Sequence, residues 1–305
     1  MKRHSYRIFH LYLAYYGLRK LNRATQIVCV SAGLCICTPA QQIVPLTDGY
    51  AGSTLNQHLR ADKLTSRDAQ EAIKKPKVVV FTGDRVIAQF VDGASWLTAI
   101  TVVNLENHST SFDVLFFRDD GSDLIVPVVG QGPVRGMQIA LTTAGSLTFQ
   151  TTGTANGLAQ GWALLSQSNS DSIGMFAIFR QSVPGRQAQE AVVPTVNQFE
   201  NHFVLPYDNT QFVTGIALAN PTLNAVVIPA NIRNELGQII DTRQLSLGPY
   251  GHTAFTLPDT WPSTSGQRGI IEFLTTGFGV GALGLRFNGA AFTSLSVLEN
   301  FAWTQ

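Results

Sequence analysis

Three carboxylates crowd into Asp119-Asp120-Gly121-Ser122-Asp123. A Ca²⁺ ion takes several such oxygens, but the calcium-loop spacing and its distal Glu are missing. An Asp-Gly pair between apolar runs reads first as a solvated hairpin turn, because glycine takes the positive φ that such turns need. The histidines beyond residue 40 are His58, His108, His202 and His252, all isolated. None forms a His-Glu-x-x-His or other close metal pair. Gly93-Ala94-Ser95-Trp96-Leu97 begins like a Gly-x-Ser-x-Gly elbow but lacks the last glycine. Gly130-Gln131-Gly132 precedes Pro133 rather than a helix, so it forms no phosphate cradle. Glu190, Glu272 and Glu299 lie within or beside apolar segments. A glycosidase acid pair is assembled in space, so a hydrolase with such a pair stays open as an alternative. Trp96, Tyr207, Phe212, Tyr250, Trp261 and Trp303 could build a sugar-stacking platform, although aromatic residues more often fill cores. Trp261, between Pro258 and Pro262, has the best claim to exposure and makes a carbohydrate-binding module the other alternative. Asn104 and Asn220 are read as residues that shape turns through their own side-chain hydrogen bonds. No catalytic, cofactor-binding or metal-binding residue is assigned, and no cofactor is expected.

The bulk composition narrows the classes. Charged residues make up 13% of the 305 residues and the net charge is +1. Ordinary soluble domains carry about 25% charged residues, so Thr, Ser, Asn and Gln must supply the polar surface, a habit of β-proteins. Near-neutral charge argues against nucleic acid, which needs a basic footprint, and gives no attraction to an anionic membrane. Cys29, Cys35 and Cys37 all lie in the first forty residues. Residues 1–24 are basic without an acid, Ile27 to Cys37 is apolar, and Thr38-Pro39-Ala40 ends in a small residue. That order is a secretory signal, too short to span a bilayer as a helix, and it predicts export to the cell surface, periplasm or medium. Leu34-Cys35-Ile36-Cys37 fits a lipidation site poorly because of the bulky Ile36. Once the signal is removed no cysteine remains. Residues 41–77 read as a spacer, partly helical or disordered, since Ala61 to Lys75 has few β-branched residues.

The elements that would position any site are strands. Thr98-Ala99-Ile100-Thr101-Val102-Val103-Asn104 is echoed by Thr214-Gly215-Ile216-Ala217-Leu218-Ala219-Asn220 at an offset of 116. Thr, two aliphatic residues and Asn recur at every second position, which is the period of a half-buried strand. The same offset aligns Asp92 with Asp208, and Arg118 to Gly121 matches Arg233 to Gly237. Leu141, Gly145 and Phe149 match Leu247, Gly251 and Phe255, so the first copy holds about ten extra residues near Gly130 to Gly136. Leu124 to Val129 is expected to hairpin back on Ser111 to Arg118. Short strands with turn chemistry between them, and no amphipathic helical pattern, predict β-sandwiches.

The run Phe90 to Asn104, with Asp92-Gly93, Trp96 and Asn104, is followed by Phe-Phe-Arg-Asp-Asp-Gly, Gly-Trp-Ala and Phe-Ala-Ile-Phe-Arg. Together with Ala282 to Leu295 it resembles tandem immunoglobulin-like β-sandwich repeats of exported, largely uncharacterised bacterial proteins. The resemblance covers roughly Arg85 to Val297 and implies architecture and export rather than catalysis. The fold expected is all-β: signal peptide 1–40, spacer 41–77, and sandwich domains 78–196 and 197–305. The function expected is a non-catalytic structural or interaction module with a protein or glycan partner.

Overall fold

Residues 96–104 alternate buried and half-buried side chains, with Trp96, Thr98, Ile100, Val102 and Asn104 inside. The period read from sequence is therefore the period of the strand. The computed structural model describes residues 41–46, 84–166, 171–196, 201–275 and 279–299. The segment read from sequence as a signal peptide, most of the residues read as a spacer, the cysteines, His58 and Trp303 lie outside these residues.

The first half contributes β1 (Gln42–Pro45), β2 (Arg85–Asp92), β3 (Trp96–Asn104), β4 (Thr110–Phe117), β5 (Val126–Val128), β6 (Gly132–Val134), β7 (Gly136–Leu141), β8 (Ser146–Gln150), β9 (Ala159–Ser166), β10 (Ile173–Gln181) and β11 (Gln189–Pro194). The second contributes β12 (His202–Asp208), β13 (Val213–Ala219), β14 (Val226–Asn234), β15 (Ile239–Leu247), β16 (His252–Thr256), β17 (Arg268–Leu274), β18 (Gly281–Asn288) and β19 (Ala291–Leu295). One short helix, α1 (Leu257–Thr260), and a 3-10 turn at Pro262–Thr264 join β16 to β17.

The strands form antiparallel sheets in the orders β1-β7-β4-β9-β2 and β11-β10-β3-β8, then β12-β17-β14-β15 and β16-β13-β18-β19. With β1 set aside, the two halves share one order: β2, β9, β4, β7 stand as β12, β17, β14, β15, and β8, β3, β10, β11 as β16, β13, β18, β19. Lettering each set of eight A to H in chain order, B pairs with E, and C pairs with F and D. Antibody constant domains place A beside B and E, and G beside C and F. Here β2 (A) pairs with β9 (F) and β10 (G) with β3 (B), so those two strands lie on opposite sheets from the antibody order.

Two expectations need correction. Leu124 to Val129 hairpins back on β4 only at its start, where Leu124 N–H donates to Phe116 O at 2.9 Å and Asp123 bridges Phe117. The Asp-Gly turn closes, with Arg118 N–H donating to Ser122 O at 2.8 Å, but the chain then runs into β5, which pairs with β6 in a separate two-stranded ribbon. These are the extra residues of the first half, and β7 takes the place beside β4 that β15 takes beside β14. The second correction concerns the spacer, whose first residues form β1 on the outer edge of β7. Ile43 packs half-buried against the core and Leu46 is buried, so two apolar side chains suffice to dock that segment.

The halves pack on each other. The core of the first takes in Ala217, Ala219, Leu283, Leu285 and Phe292 of the second. On β13, Ile216 and Leu218 serve their own core while Ala217 and Ala219 face the neighbouring half, which is why that strand is buried on both sides. Trp96 packs on Phe292 with ring centroids 5.0 Å apart.

Candidate functional site

The densest polar arrangement lies on the face of β12-β17-β14-β15 turned away from its core. Phe203, Ile232 and Phe273 fill the inner face, so the strand period sends His202, Asn231, Arg233 and Glu272 to the outer one. Glu272 is central, and its side chain is only 2% exposed. Arg233 donates to its Oε2 from Nη2 at 2.8 Å and from Nε at 3.1 Å. Asn231 Nδ2 donates to the same oxygen at 3.1 Å, and His202 Nε2 stands 2.8 Å from Oε1. Thr242 Oγ1 then donates to Asn231 Oδ1 at 3.0 Å, so the network crosses all four strands.

Burial by itself would raise the Glu272 pKa. The hydrogen bonds from His202, Asn231 and Arg233, with the charge of Arg233, outweigh it and hold the carboxyl below its ordinary range. An ionised carboxylate saturated with donors is a poor general acid and a poor nucleophile. What the arrangement does well is clamp three strands through charge-assisted bonds to Glu272, with the neutral Thr242–Asn231 bond reaching the fourth. Beside it, near the β14–β15 turn, a shallow hollow of about 450 Å³ is lined by Tyr207, Glu235, Arg268 and Ile270 among others.

A second polar couple sits between the halves. His252 is buried, and its Nδ1 lies 2.8 Å from Asp119 Oδ1 while its N–H donates to Asp119 O at 3.0 Å. Beside it Tyr250 stacks on Phe117 at 5.0 Å, and Trp162 Nε1 donates to Tyr250 O at 2.8 Å. Burial, reinforced by the charge of Asp84, pushes the Tyr250 phenol up to about 12.

The other residues singled out from sequence go elsewhere. Asp120 accepts from Ser122 N–H and Oγ, and Asp123 pairs with Arg135 at 3.0 Å, so the acidic turn is divided among separate partners. No cluster of three metal-ligating side chains occurs among the described residues. His108 stands 3.3 Å from Asp171. Glu190 is exposed on β11 beside Arg180, Glu272 lies on β17, and Glu299 is half-buried beyond β19. The reading of Trp261 as an exposed aromatic is overturned: it is 0% exposed, packed on Phe255 under Arg243. Its proline-flanked loop folds into α1 and the 3-10 turn, which carry the indole into the core. Tyr207 and Trp96 are buried, and Phe212 lies half-buried beneath the Arg286 guanidinium.

Asn104 and Asn220 end β3 and β13 with the same bonds. Asn104 Nδ2 donates to His108 O and Thr142 O, and Asn220 Nδ2 to Asn224 O and Gly248 O. Each Oδ1 accepts the N–H two residues on. The sequence signal that was missed is the pair Asn231-x-Arg233, two polar side chains on one face of an apolar strand.

Comparison with protein-family models, with curated proteins and with solved structures found no match for this chain.

Proposed function

We propose that the chain is a non-catalytic exported protein, a structural or interaction module of the cell surface or periplasm, built from two sandwich units that arose by duplication. The units are immunoglobulin-like in their central pairs, B with E and C with F. Residues 1–40 act as the export signal in this reading, with a spacer before units spanning 78–196 and 197–305. The observation that carries it is the state of Glu272. The most buried of the acids singled out from sequence is held ionised by three donors and bound into the sheet, rather than left poised for proton transfer. The matching bonds of Asn104 and Asn220 support the duplication.

The test is to express the full chain with its own N-terminus in a bacterial host and cross-link the exported fraction. Export with cleavage near residue 40 and recovery of one saturable protein partner is expected. Retention in the cytoplasm would overturn the export reading. Turnover of glycoside or ester substrates that vanishes in Glu272→Gln would overturn the non-catalytic one.

A further inference from the structure

Sheet edges expose unpaired N–H and C=O groups, and proteins cover them. Most edges here are met by something. β2 bridges to Val196 and β12 to Leu298. β7 carries β1, Gln150 O of β8 accepts Val129 N–H, and His252 N–H of β16 reaches Asp119 O. Ser294 of β19 bonds Val192 O of β11. Two sheet edges are left without a backbone partner on their outer side among the described residues: the four-residue β1 and, much longer, the nine-residue β15. The place of β15 in the order is that of β7, whose outer edge takes a strand. Ile239 and Ile240 on β15 are 50% and 38% exposed.

We propose that β15 pairs antiparallel with β15 of a second copy of this chain, about a two-fold axis through Thr242. The charges on the strand choose this occupant. A two-fold axis between identical antiparallel strands passes through a residue position, so each register is set by its central residue. Centred on Thr242, Asp241 of each copy lies opposite Arg243 of the other. Centred one residue either way, Asp241 faces Asp241 or Arg243 faces Arg243, which like-charge repulsion disfavours. The two side chains are only partly engaged within the chain: Arg243 is 45% exposed with its guanidinium 5.7 Å from the Trp261 ring centroid, Asp241 is 25% exposed, and their mutual contact is long at 3.9 Å. Asp241 also accepts from Ser263 Oγ, on the same chain, at 2.9 Å. The pairing joins two four-stranded sheets into one of eight strands and covers the β15 edge in both copies.

This inference is separate from the proposed function, since a monomer would refute it and leave the partner capture to decide the other. The experiment is sedimentation equilibrium of the full chain across a concentration series. A dimer is expected for the wild type. Arg243→Asp and Asp241→Arg each weaken it by about tenfold, because two symmetry-related pairs turn repulsive together. Combining both swaps restores complementarity and brings the dimer back. Hydrogen exchange on the wild type checks the same contact without a variant: protection of the 241–245 amides rises with concentration. A monomer at every concentration overturns the proposal. So does a dimer indifferent to both single swaps, or one whose 241–245 amides exchange independently of concentration.

Discussion

Gly281 lies so close to Val86 that a Cβ on the glycine would come within 2.6 Å of the valine Cγ1. The contact joins β18 to β2 across the junction of the two halves, and the stiff, β-branched valine has no easy way to yield. Gly281→Ala is therefore expected to destabilise by about 1–3 kcal/mol through overpacking. Val86→Ala in the same chain recovers most of that loss. Urea unfolding followed by tryptophan fluorescence measures both. Because one core cluster includes side chains of both halves, a single transition is expected. Two resolved transitions, or no rescue, would show that the junction is looser than the packing implies.

Asn104 and Asn220 close equivalent strand ends, and each satisfies two backbone carbonyls from a side chain that is 1% exposed. Alanine at either position strands those carbonyls, at a cost of about 1–3 kcal/mol. The two losses should agree within about 1 kcal/mol, since three bonds match, with Asn220 the larger because its Oδ1 also accepts from Thr222 Oγ1 at 2.8 Å. A large loss at one and none at the other would argue that the resemblance of the two turns is superficial.

Much of this framework was legible in the chain because β3 is buried on one side, so its period shows. β13 is harder: Gly215, Ala217 and Ala219 replace Ala99, Thr101 and Val103, and only the comparison of the two runs reveals a second covered face. The Glu272 network left one local signal, the Asn231-x-Arg233 pair, while His202 and Glu272 itself are brought to it only by pairing across strands. Trp261 was misread because flanking prolines announce a loop but not what the loop covers. Tyr250 is a related case. Its backbone takes φ 50, a costly value for a side-chain-bearing residue, and its ring is thereby placed on Phe117 of the other half.

The turn from β2 to β3 offers a gain rather than a loss. Ala94 and Ser95 have φ 49 and 76, and Gly93 and Trp96 exchange backbone hydrogen bonds around them. Two positive φ values mark a type I′ hairpin, for which Asn-Gly is the favoured pair. Left-handed backbone costs an ordinary residue about 1–2 kcal/mol. Ala94→Asn with Ser95→Gly should thus raise stability by about 1–2 kcal/mol, read as a higher urea midpoint with an unchanged slope. An unchanged midpoint would mean that surrounding contacts, not residue type, set the turn.

Glu272 gives a pH dependence with a definite sign. Its carboxyl is held below the ordinary range, so the unfolded chain takes up its proton first as pH falls. Its contribution is complete above about pH 4.3, the ordinary glutamate value, and fades as pH drops through the lowered folded value. Glu272→Gln removes the charge that Arg233 and His202 face. The loss at pH 7 is expected to be about 2–4 kcal/mol, toward the low side for a buried pair because Arg233 keeps 15% exposure. The gap between wild type and variant should narrow from pH 7 to pH 3. A gap that stays constant would show that the cost comes from packing rather than from charge.

Trp261→Ala now tests the core rather than a sugar platform. The indole is wholly buried against Phe255, with Arg243 5.7 Å above the ring. Removing it opens a large cavity and should cost about 3–5 kcal/mol, seen as an early unfolding midpoint. Trp261→Phe retains most of the apolar volume and should cost clearly less. A sugar-stacking tryptophan would behave in the opposite way, with stability nearly untouched and glycan retention lost. Measuring urea midpoints and glycan retention on the same three proteins separates the two roles, because a core residue moves the midpoint in graded fashion with the volume removed.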